Sequence, residues 1–510
     1  MLFNAFLILI FIHNEARSAR ILGIFHERSF SHQILGIKLL SALAANDHDV
    51  TMLTPVAPKE VNFTVIKLNM EGHDTASMRN LYDTHTFTIW RRMVGTDDSG
   101  LLWAETVLND SNLKRLLKSK QQFDLVLMEQ LGNHALKGIC YHYKAICVIL
   151  STMGPTWLTN EMTRNPNAPS HMPDMYVNYP PVMGFFQRLH NAYAQYLQKL
   201  YFYTYTIRKH NEIVQKHFPG FPHIMEILYN VSLVLVNSHV STSNPASNLP
   251  NVVEVGGFHL DLPKKLPEHI DAFLNGADNG AVYFSMGSIL NARDMEKHKL
   301  EMIITVLGQL KQRVLWVGNV ENHSQLPENI LSVKWAPQVD VLAHPNIRLF
   351  ISHGGLLSLT ESVACGVPIL GIPVHADQGY NSALSEAAGF GISLPYQSLI
   401  EEKFKDAVHQ LLQNRSYTEN AKQRSRVFHD RPMKPLDLAV YWIQYVIRHN
   451  GAMHLRSSAL HLAWYQYSLL DVLFVVVLLV AVICLLTKKM FNLCLRKQLK
   501  PKTNKIKKAQ

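Results

Sequence analysis

Between Trp335 and Gln378 the chain concentrates residues suited to holding a phosphorylated ligand: Trp335, Gln338, Ser352-His353-Gly354-Gly355, Ser358, Glu361 and Asp377-Gln378. The run Arg348 to Ser352 has the β-branched and aromatic content of a buried strand, and it gives way at the glycines to a helical stretch from Leu356 to Cys365. Strand, glycine turn and helix start make a cradle for a diphosphate. Glycine lets the backbone come close, and the free N–H groups at the positive end of the helix dipole stabilise the charge. His353 and Ser358 add side-chain donors. Glu361, about two turns into the helix, suits the two hydroxyls of a ribose, because a carboxylate accepts two hydrogen bonds. Trp335 offers a flat face on which a uracil stacks. Asp377 and Gln378, beyond the apolar run Val367 to Ile372, suit the hydroxyls of a sugar. Singly, each residue has an ordinary structural role as turn, core aromatic or helix cap. The joint spacing reads as a nucleotide-sugar site.

A second group could move a proton. The apolar strand Ile21 to Phe25 leads into His26-Glu27-Arg28-Ser29-Phe30, and Ser31-His32 opens an amphipathic helix running to about Ala45. With Asp49 to Thr54 as the next strand, this is a βαβ start. It sets His32 on the rim where open α/β sheets bind ligands. A helix start disfavours an imidazolium, so His32 is expected to stay neutral and able to act as a base. The strand Phe123 to Glu129 ends in a carboxylate that could orient this histidine; Asp124, at the same strand's start, is the alternative.

The ordered set Trp, Pro-Gln, His-Pro, Ser-His-Gly-Gly, Ser, Glu, Gly-Val-Pro and Asp-Gln in 335–378 closely resembles the signature of the UDP-glycosyltransferase family. The resemblance covers nearly the whole chain and is strongest in its second half. It implies the GT-B architecture: an α/β fold of two Rossmann-like domains facing across a cleft. By similarity, Trp335 and Gln338 hold base and ribose, and His353 and Ser358 hold the diphosphate. Glu361 holds the ribose hydroxyls, and Asp377 with Gln378 the transferred sugar. Gly354 and Gly355 form the turn, and Ser288 in Ser285-Met286-Gly287-Ser288 also faces the diphosphate. His32 is the implied base and Glu129 its partner, where relatives place the shorter Asp. Leu357 stands where many vertebrate and plant members carry Asn, and the Gly-Gly-Leu-Leu-Ser form looks more like arthropod members. His375 replaces a residue that is generally aromatic in relatives.

The implied chemistry is an inverting displacement at the anomeric carbon, transferring a hexose from a UDP-sugar to a small lipophilic phenol or alcohol, as in detoxification. No cofactor is expected beyond the UDP-sugar co-substrate. Helix dipole and side-chain donors can hold the leaving diphosphate, so a metal is not obligatory. None is expected, since the 26 histidines are scattered and neither His-Glu-x-x-His nor Cys-x-x-Cys occurs. With no Arg or Lys in the turn Val374 to Gln378 to meet a carboxylate, UDP-glucose is the favoured donor. UDP-glucuronate is the alternative, and a catalytically inactive UDP-sugar-binding partner subunit is a further one. Homo- or hetero-oligomers are left open.

The 510 residues, 47% hydrophobic, suffice for two domains and membrane segments. Residues 1–19 resemble a secretory signal peptide. Residues 20–255 are expected to form the acceptor-binding domain, with a loop-rich, aromatic stretch from Met153 to about Phe221 suited to lining an apolar pocket, to packing or to membrane contact. Residues 256–450 are expected to bind UDP-sugar, 451–468 to be a juxtamembrane segment with Trp464, Tyr465 and Tyr467, and 469–487 to span a bilayer. The tail 488–510 holds nine Lys or Arg and no acid, nearly all of the formal charge of +10. That charge therefore points to anionic lipid on a cytosolic face and away from nucleic acid. Lys507-Lys508 resemble a dilysine retrieval signal. Together these imply a single-pass type I protein of the endoplasmic reticulum membrane with a lumenal body. Sequons at Asn62, Asn109, Asn230, Asn322 and Asn414 are compatible with that siting. Cys140, Cys147 and Cys365 are an odd number on that side, so no disulfide framework is expected.

Overall fold

The computed structural model describes residues 18–70, 81–290, 292–318, 320 and 326–498. Most of the expected signal peptide, the Asn322 sequon and Lys507-Lys508 lie outside the described residues. The chain divides into two compact units, Met1–Arg456 and Ser457–Gln510.

The first unit holds two parallel sheets. The first comprises β1 (Arg20–Ile24), β2 (Asp49–Thr54), β3 (Thr64–Lys67), β4 (Leu125–Glu129), β5 (Ile146–Ser151), β6 (Leu233–Val236) and β7 (Val252–Glu254), in the order β3-β2-β1-β4-β5-β6-β7. The second comprises β8 (Ala281–Ser285), β9 (Arg313–Val317), β10 (Ile330–Val333), β11 (Ile347–Ser352), β12 (Ile369–Gly371) and β13 (Gly391–Ser393), in the order β10-β9-β8-β11-β12-β13. Parallel strands covered on both faces read as unbroken apolar runs, and all five residues of β4 and of β8 are buried.

In each sheet the strand order reverses once, and ligands gather outside the carboxyl ends of strands at such a reversal. The first reversal lies between β1 and β4, whose register pairs Ile24 with Met128. The second lies between β8 and β11, where Ser285 pairs with Ser352. Helix α1 (Phe30–Ala44) follows β1, and α2 (Ile89–Asn109) precedes β4. The stretch expected to be loop-rich contains a 17-residue helix, α3 (Phe185–Tyr201), which buries Asn191, Ala194, Gln195 and Gln198. Its polar inner face hid the helical pattern from a reading that looks for an apolar stripe. Helices α4 (Leu356–Cys365) and α5 (Gln378–Ala387) follow β11 and β12.

Helix α6 (Pro435–Arg448), from the stretch expected to serve UDP-sugar binding, returns to the first sheet. Its Ala439, Val440, Ile443 and Val446 share a core with Ile21, Leu39, Leu127 and Leu235. The chain thus crosses between the sheets twice, and the crossings touch: Arg431 Nη1 donates to Gly256 O at 2.8 Å and its guanidinium covers the Phe428 ring.

In the second unit, α7 (Leu470–Gln498) contains a 26-residue segment, Leu470–Leu495, whose most apolar 18-residue window has a mean hydropathy of 3.1, long and apolar enough to cross a membrane.

The cysteine reading needs correction. Cys140 and Cys147 form a disulfide, with Cα atoms 5.6 Å apart, because the turn after the helix Gly138–Tyr143 folds β5 back beside it. An odd count could not reveal this, since Cys365 stays free. A bridge closing so short a loop removes modest chain entropy. Cys140→Ala/Cys147→Ala is expected to cost about 2–3 kcal/mol, seen as a lower melting temperature by calorimetry at fixed scan rate. An unchanged temperature would mean the bridge contributes nothing to stability.

Candidate functional site

The two reversals face a common cleft of about 820 Å³. It is lined by His32, Ser288, Trp335, Gln338, His353, Gly355, Ser358, Glu361, Asp377 and Gln378, so ten of the twelve residues singled out in the sequence meet there. The other two sit just behind its walls: Glu129 is fully buried under His32, and Gly354 holds the turn at φ +81°.

On the first wall, Glu129 is the hub. Its Oε2 lies 3.0 Å from His32 Nδ1, and its Oε1 accepts the Glu27 backbone N–H at 2.8 Å. His26 Nδ1 stands 2.9 Å from Oε1, within ion-pair reach though off the direction of a hydrogen bond. Thr152 Oγ1 adds a contact to His32 Nδ1 at 3.3 Å. Glu129 therefore reaches the histidine despite its extra methylene. Asp124 does not compete: at the opposite end of β4, its carboxylate accepts from Arg20 N at 2.8 Å and pairs with the Arg20 side chain.

Burial alone would raise the Glu129 pKa, but the two imidazoles outweigh it and hold the carboxyl well below the usual carboxylate range. For His32, burial works to lower the pKa. The hydrogen bond and charge of Glu129, aided by Glu27 and by Asp377 from the other wall, raise it above 6.5. The helix start pulls the His32 pKa down as expected, but it is outweighed, because a full charge at 3.0 Å exceeds the partial charge of a helix end.

On the second wall, Gln338 is the connector. Its Nε2 donates to Ser358 Oγ at 3.0 Å and to Glu361 Oε2, and its Oε1 accepts from Tyr283 Oη at 3.3 Å. His259 Nε2 lies 3.4 Å from the other Glu361 oxygen. The His353 ring sits between two glycine turns: a Cβ on Gly287 or Gly355 would fall within 2.6 Å or 2.5 Å of it. Burial, with His375 beside it, pushes the His353 pKa down to about 4, so at neutral pH its ring is uncharged. Trp335 is 66% exposed, leaving its face open to the cleft. Gln378 Oε1 accepts from Val374 N and His375 N at 2.9 and 3.0 Å, fixing the turn that carries Asp377. Asp377 Oδ2 accepts from Asn381 Nδ2 at 2.9 Å; burial raises its pKa, offset by that bond and by His32. Leu357, the departure from Asn, packs with the core around Phe25.

Sequence reasoning missed His26, Thr152, His259 and Tyr283. His26 alone left a signal, a histidine at the end of a buried strand; the others reach the site through strand pairing. A chamber of about 70 Å³ also opens in the first domain. Met153, which lines the main cleft, lines it too, with Met93, Trp157, Met175, Tyr176 and Phe202.

The family model described as "UDP-glucoronosyl and UDP-glucosyl transferase" matches residues 24–505. UDP-glycosyltransferase UGT5 of Dactylopius coccus is 36% identical, covering 95% of this chain and 94% of its own length. UDP-glucosyltransferase 2 of the same organism is 32% identical over 93% of each chain. Human UDP-glucuronosyltransferase 2B15 is 29% identical over 92% of each. Among solved structures, the calicheamicin glycosyltransferase CalG4 superposes with a TM-score of 0.58 at 17% identity, covering 85% of this chain and 99% of its own, which marks the GT-B fold.

The His32–Glu129 contact predicts a titration. A raised histidine pKa contributes stability that is full below pH 6.5 and is lost as pH rises through the folded value; the depressed Glu129 pKa contributes stability above about 4.5, lost as pH falls through its folded value. In imidazole NMR, His32 should titrate above 6.5, and Glu129→Gln should bring it below, leaving burial as the dominant cause. A His32 pKa unmoved by Glu129→Gln would refute the coupling.

Proposed function

Because the chain belongs to the UDP-glucuronosyl and UDP-glucosyl transferase family, its activity is that of a UDP-glycosyltransferase, and we propose that it is an inverting enzyme with His32 as its base. The observation that carries this reading is the His32–Glu129 pair opening onto the cleft that Asp377 enters from the other side. Glu129 and Thr152 occupy Nδ1, leaving Nε2 for the acceptor hydroxyl. As that proton moves to Nε2, the acceptor oxygen bonds to the anomeric carbon, the bond from that carbon to the UDP oxygen breaks, and configuration inverts. Glu129 stabilises the imidazolium so formed.

UDP leaves against the second wall. Trp335 stacks the uracil, Gln338 and Glu361 hold the ribose, and Ser288, His353 and Ser358, with the amides at Gly354-Gly355, receive the diphosphate. Asp377 and Gln378 hold the sugar. The domain carrying β1–β7 takes the acceptor and the one carrying β8–β13 the UDP-sugar. The acceptor is a small lipophilic phenol or alcohol seated toward the Met153 chamber, whose lining is largely apolar. Residence in the endoplasmic reticulum membrane, body lumenal and basic tail cytosolic, after removal of a signal peptide, is supported by the apolar helix and the charges that follow it.

We favour glucose as the transferred sugar, from the Dactylopius glucosyltransferase likeness and the lack of Arg or Lys in the turn Val374 to Gln378. UDP-glucuronate is the second reading, and one observation favours it. The Arg92 guanidinium lowers the His375 pKa, second to burial, and its buried Nε has no hydrogen-bond partner. Products from membranes expressing the chain, with phenol acceptors and either donor, decide between them: a hexoside lost on His32→Ala supports the proposal, and a hexuronide unaffected by UDP-glucose supports the second. His32→Ala should lower kcat/KM about 10²–10⁴-fold while UDP affinity holds. Undiminished turnover would remove His32 from its role.

A further inference from the structure

The chamber beside Met153 holds a partly buried acid that the protein itself leaves under-compensated. Met93, Thr96 and Asp97 stand on one face of α2, three and four residues apart, and line the chamber together. Gly100, a turn further on, lets that helix lie directly on the turn after β4: a Cβ there would come within 2.3 Å of Gly132 O. The close approach carries Asp97 to the chamber wall.

Other acids sunk into this domain are answered where they stand. Glu129 takes an amide and two imidazoles. Asp110 accepts from Asn69 N at 2.7 Å, Asn112 N at 2.8 Å and Leu113 N at 3.0 Å, and Asp174 accepts from Tyr176 N at 3.0 Å beside the charge of Arg92. Asp97 has one neutral hydroxyl, Thr206 Oγ1, donating to Oδ2 at 2.5 Å, and among the described residues no amide or cation joins it. Burial raises its pKa to about 6, with Thr206 working to lower it and Asp98 to raise it, so at neutral pH it is largely ionised. A carboxylate has about four acceptor positions, and leaving most of them unused in a chamber shut off from bulk water costs free energy that a donor on a ligand recovers.

The surroundings say where that donor comes from. Three further polar groups in the walls are spent on the protein: Thr96 Oγ1 donates to Arg92 O and accepts from Tyr176 Oη, Gln130 Oε1 accepts from Lys137 Nζ at 2.6 Å, and Ser151 Oγ donates to Gly154 O. Gln130 directly follows Glu129, and Met153 directly follows Thr152, which touches His32, so the chamber begins one residue beyond the His32–Glu129 pair. At about 70 Å³ it has room for one end of an acceptor and not for a whole one. Met153, unbranched and adaptable, stands between chamber and cleft.

We propose that Asp97 selects the acceptor: molecules with a second hydroxyl, at the end opposite the one presented to His32, are preferred because that hydroxyl donates to the Asp97 carboxylate inside the chamber. This deepens the reading of the cleft as an acceptor site and rests on it. An acceptor of the same shape without the second hydroxyl would seal an ionised group against apolar surface, and a site built to bind a hydroxyl rejects such an analogue strongly.

The test uses the full-length protein in detergent with two ligands of one shape, para-hydroxybiphenyl and its para,para′-diol, their binding measured by equilibrium dialysis and their glycosylation measured alongside. The wild type is expected to bind the diol at least about tenfold more tightly, beyond the roughly twofold that its symmetry supplies. Asp97→Leu should lose that preference from both directions, weakening the diol and tightening the mono-hydroxy compound, and Asp97→Asn, which keeps a neutral acceptor oxygen, should fall between. Affinity for UDP, held on the other wall, reports whether each variant is folded. Equal affinities in the wild type, binding of neither ligand, or a preference that survives in folded Asp97→Leu would overturn the proposal, and the wild-type comparison decides even if the variants do not fold. Preferred binding of the diol without transfer to either compound would uphold Asp97 and reject the catalytic reading, whereas transfer to both with equal affinities would do the reverse.

Discussion

A carboxylate with no exposed surface must be compensated where it stands, and much of the first domain's ligand-facing edge follows from how Glu129 meets that demand. Its oxygens take the Glu27 amide and two imidazoles that lie six residues apart, after β1. Stripping the partners from such a buried charge costs several kcal/mol, so the turn after β1 and the start of α1 are fixed in position by electrostatics as well as by the packing of Leu35, Leu39 and Leu40. The same charge raises the affinity of His32 for a proton, and that is the property a base needs. Structural compensation and chemical activation are one interaction.

The second wall works by a different logic. Its centre is a polar network: Gln338 links Ser358, the Glu361 carboxylate and Tyr283, while burial keeps His353 uncharged between two glycine turns. An anion placed at the glycine turns would meet oriented dipoles and N–H groups.

Much of this was legible in the residues. The run Arg348 to Cys365 declared its strand, turn and helix because apolar content and glycines are local signals, and Ile21 to Thr54 did so for the same reason. Glu129 against Asp124 was not decidable locally; strand direction settles it, by setting one at the ligand edge and the other on Arg20. The upward shift of the His32 pKa was not legible at the helix start, because the carboxylate opposing the dipole lies 97 residues away in sequence. Helix α3 went unseen because its polarity is inverted, and the return of α6 to the first sheet has no local signature: its apolar stripe fits either core. The Cys140–Cys147 bridge is a pairing, and pairings are spatial facts that a count cannot supply.

The paired crossings at Gly256 and Arg431 have a mechanical meaning. One tether would let the two sheets swivel about any direction; two tethers side by side, bonded to each other and roofed by Phe428, act like the spine of a book. Opening and shutting then reduce to a single angle, with the cleft as the facing pages. His32 and Asp377 lie on opposite pages, so the distance between them is a readout of that angle.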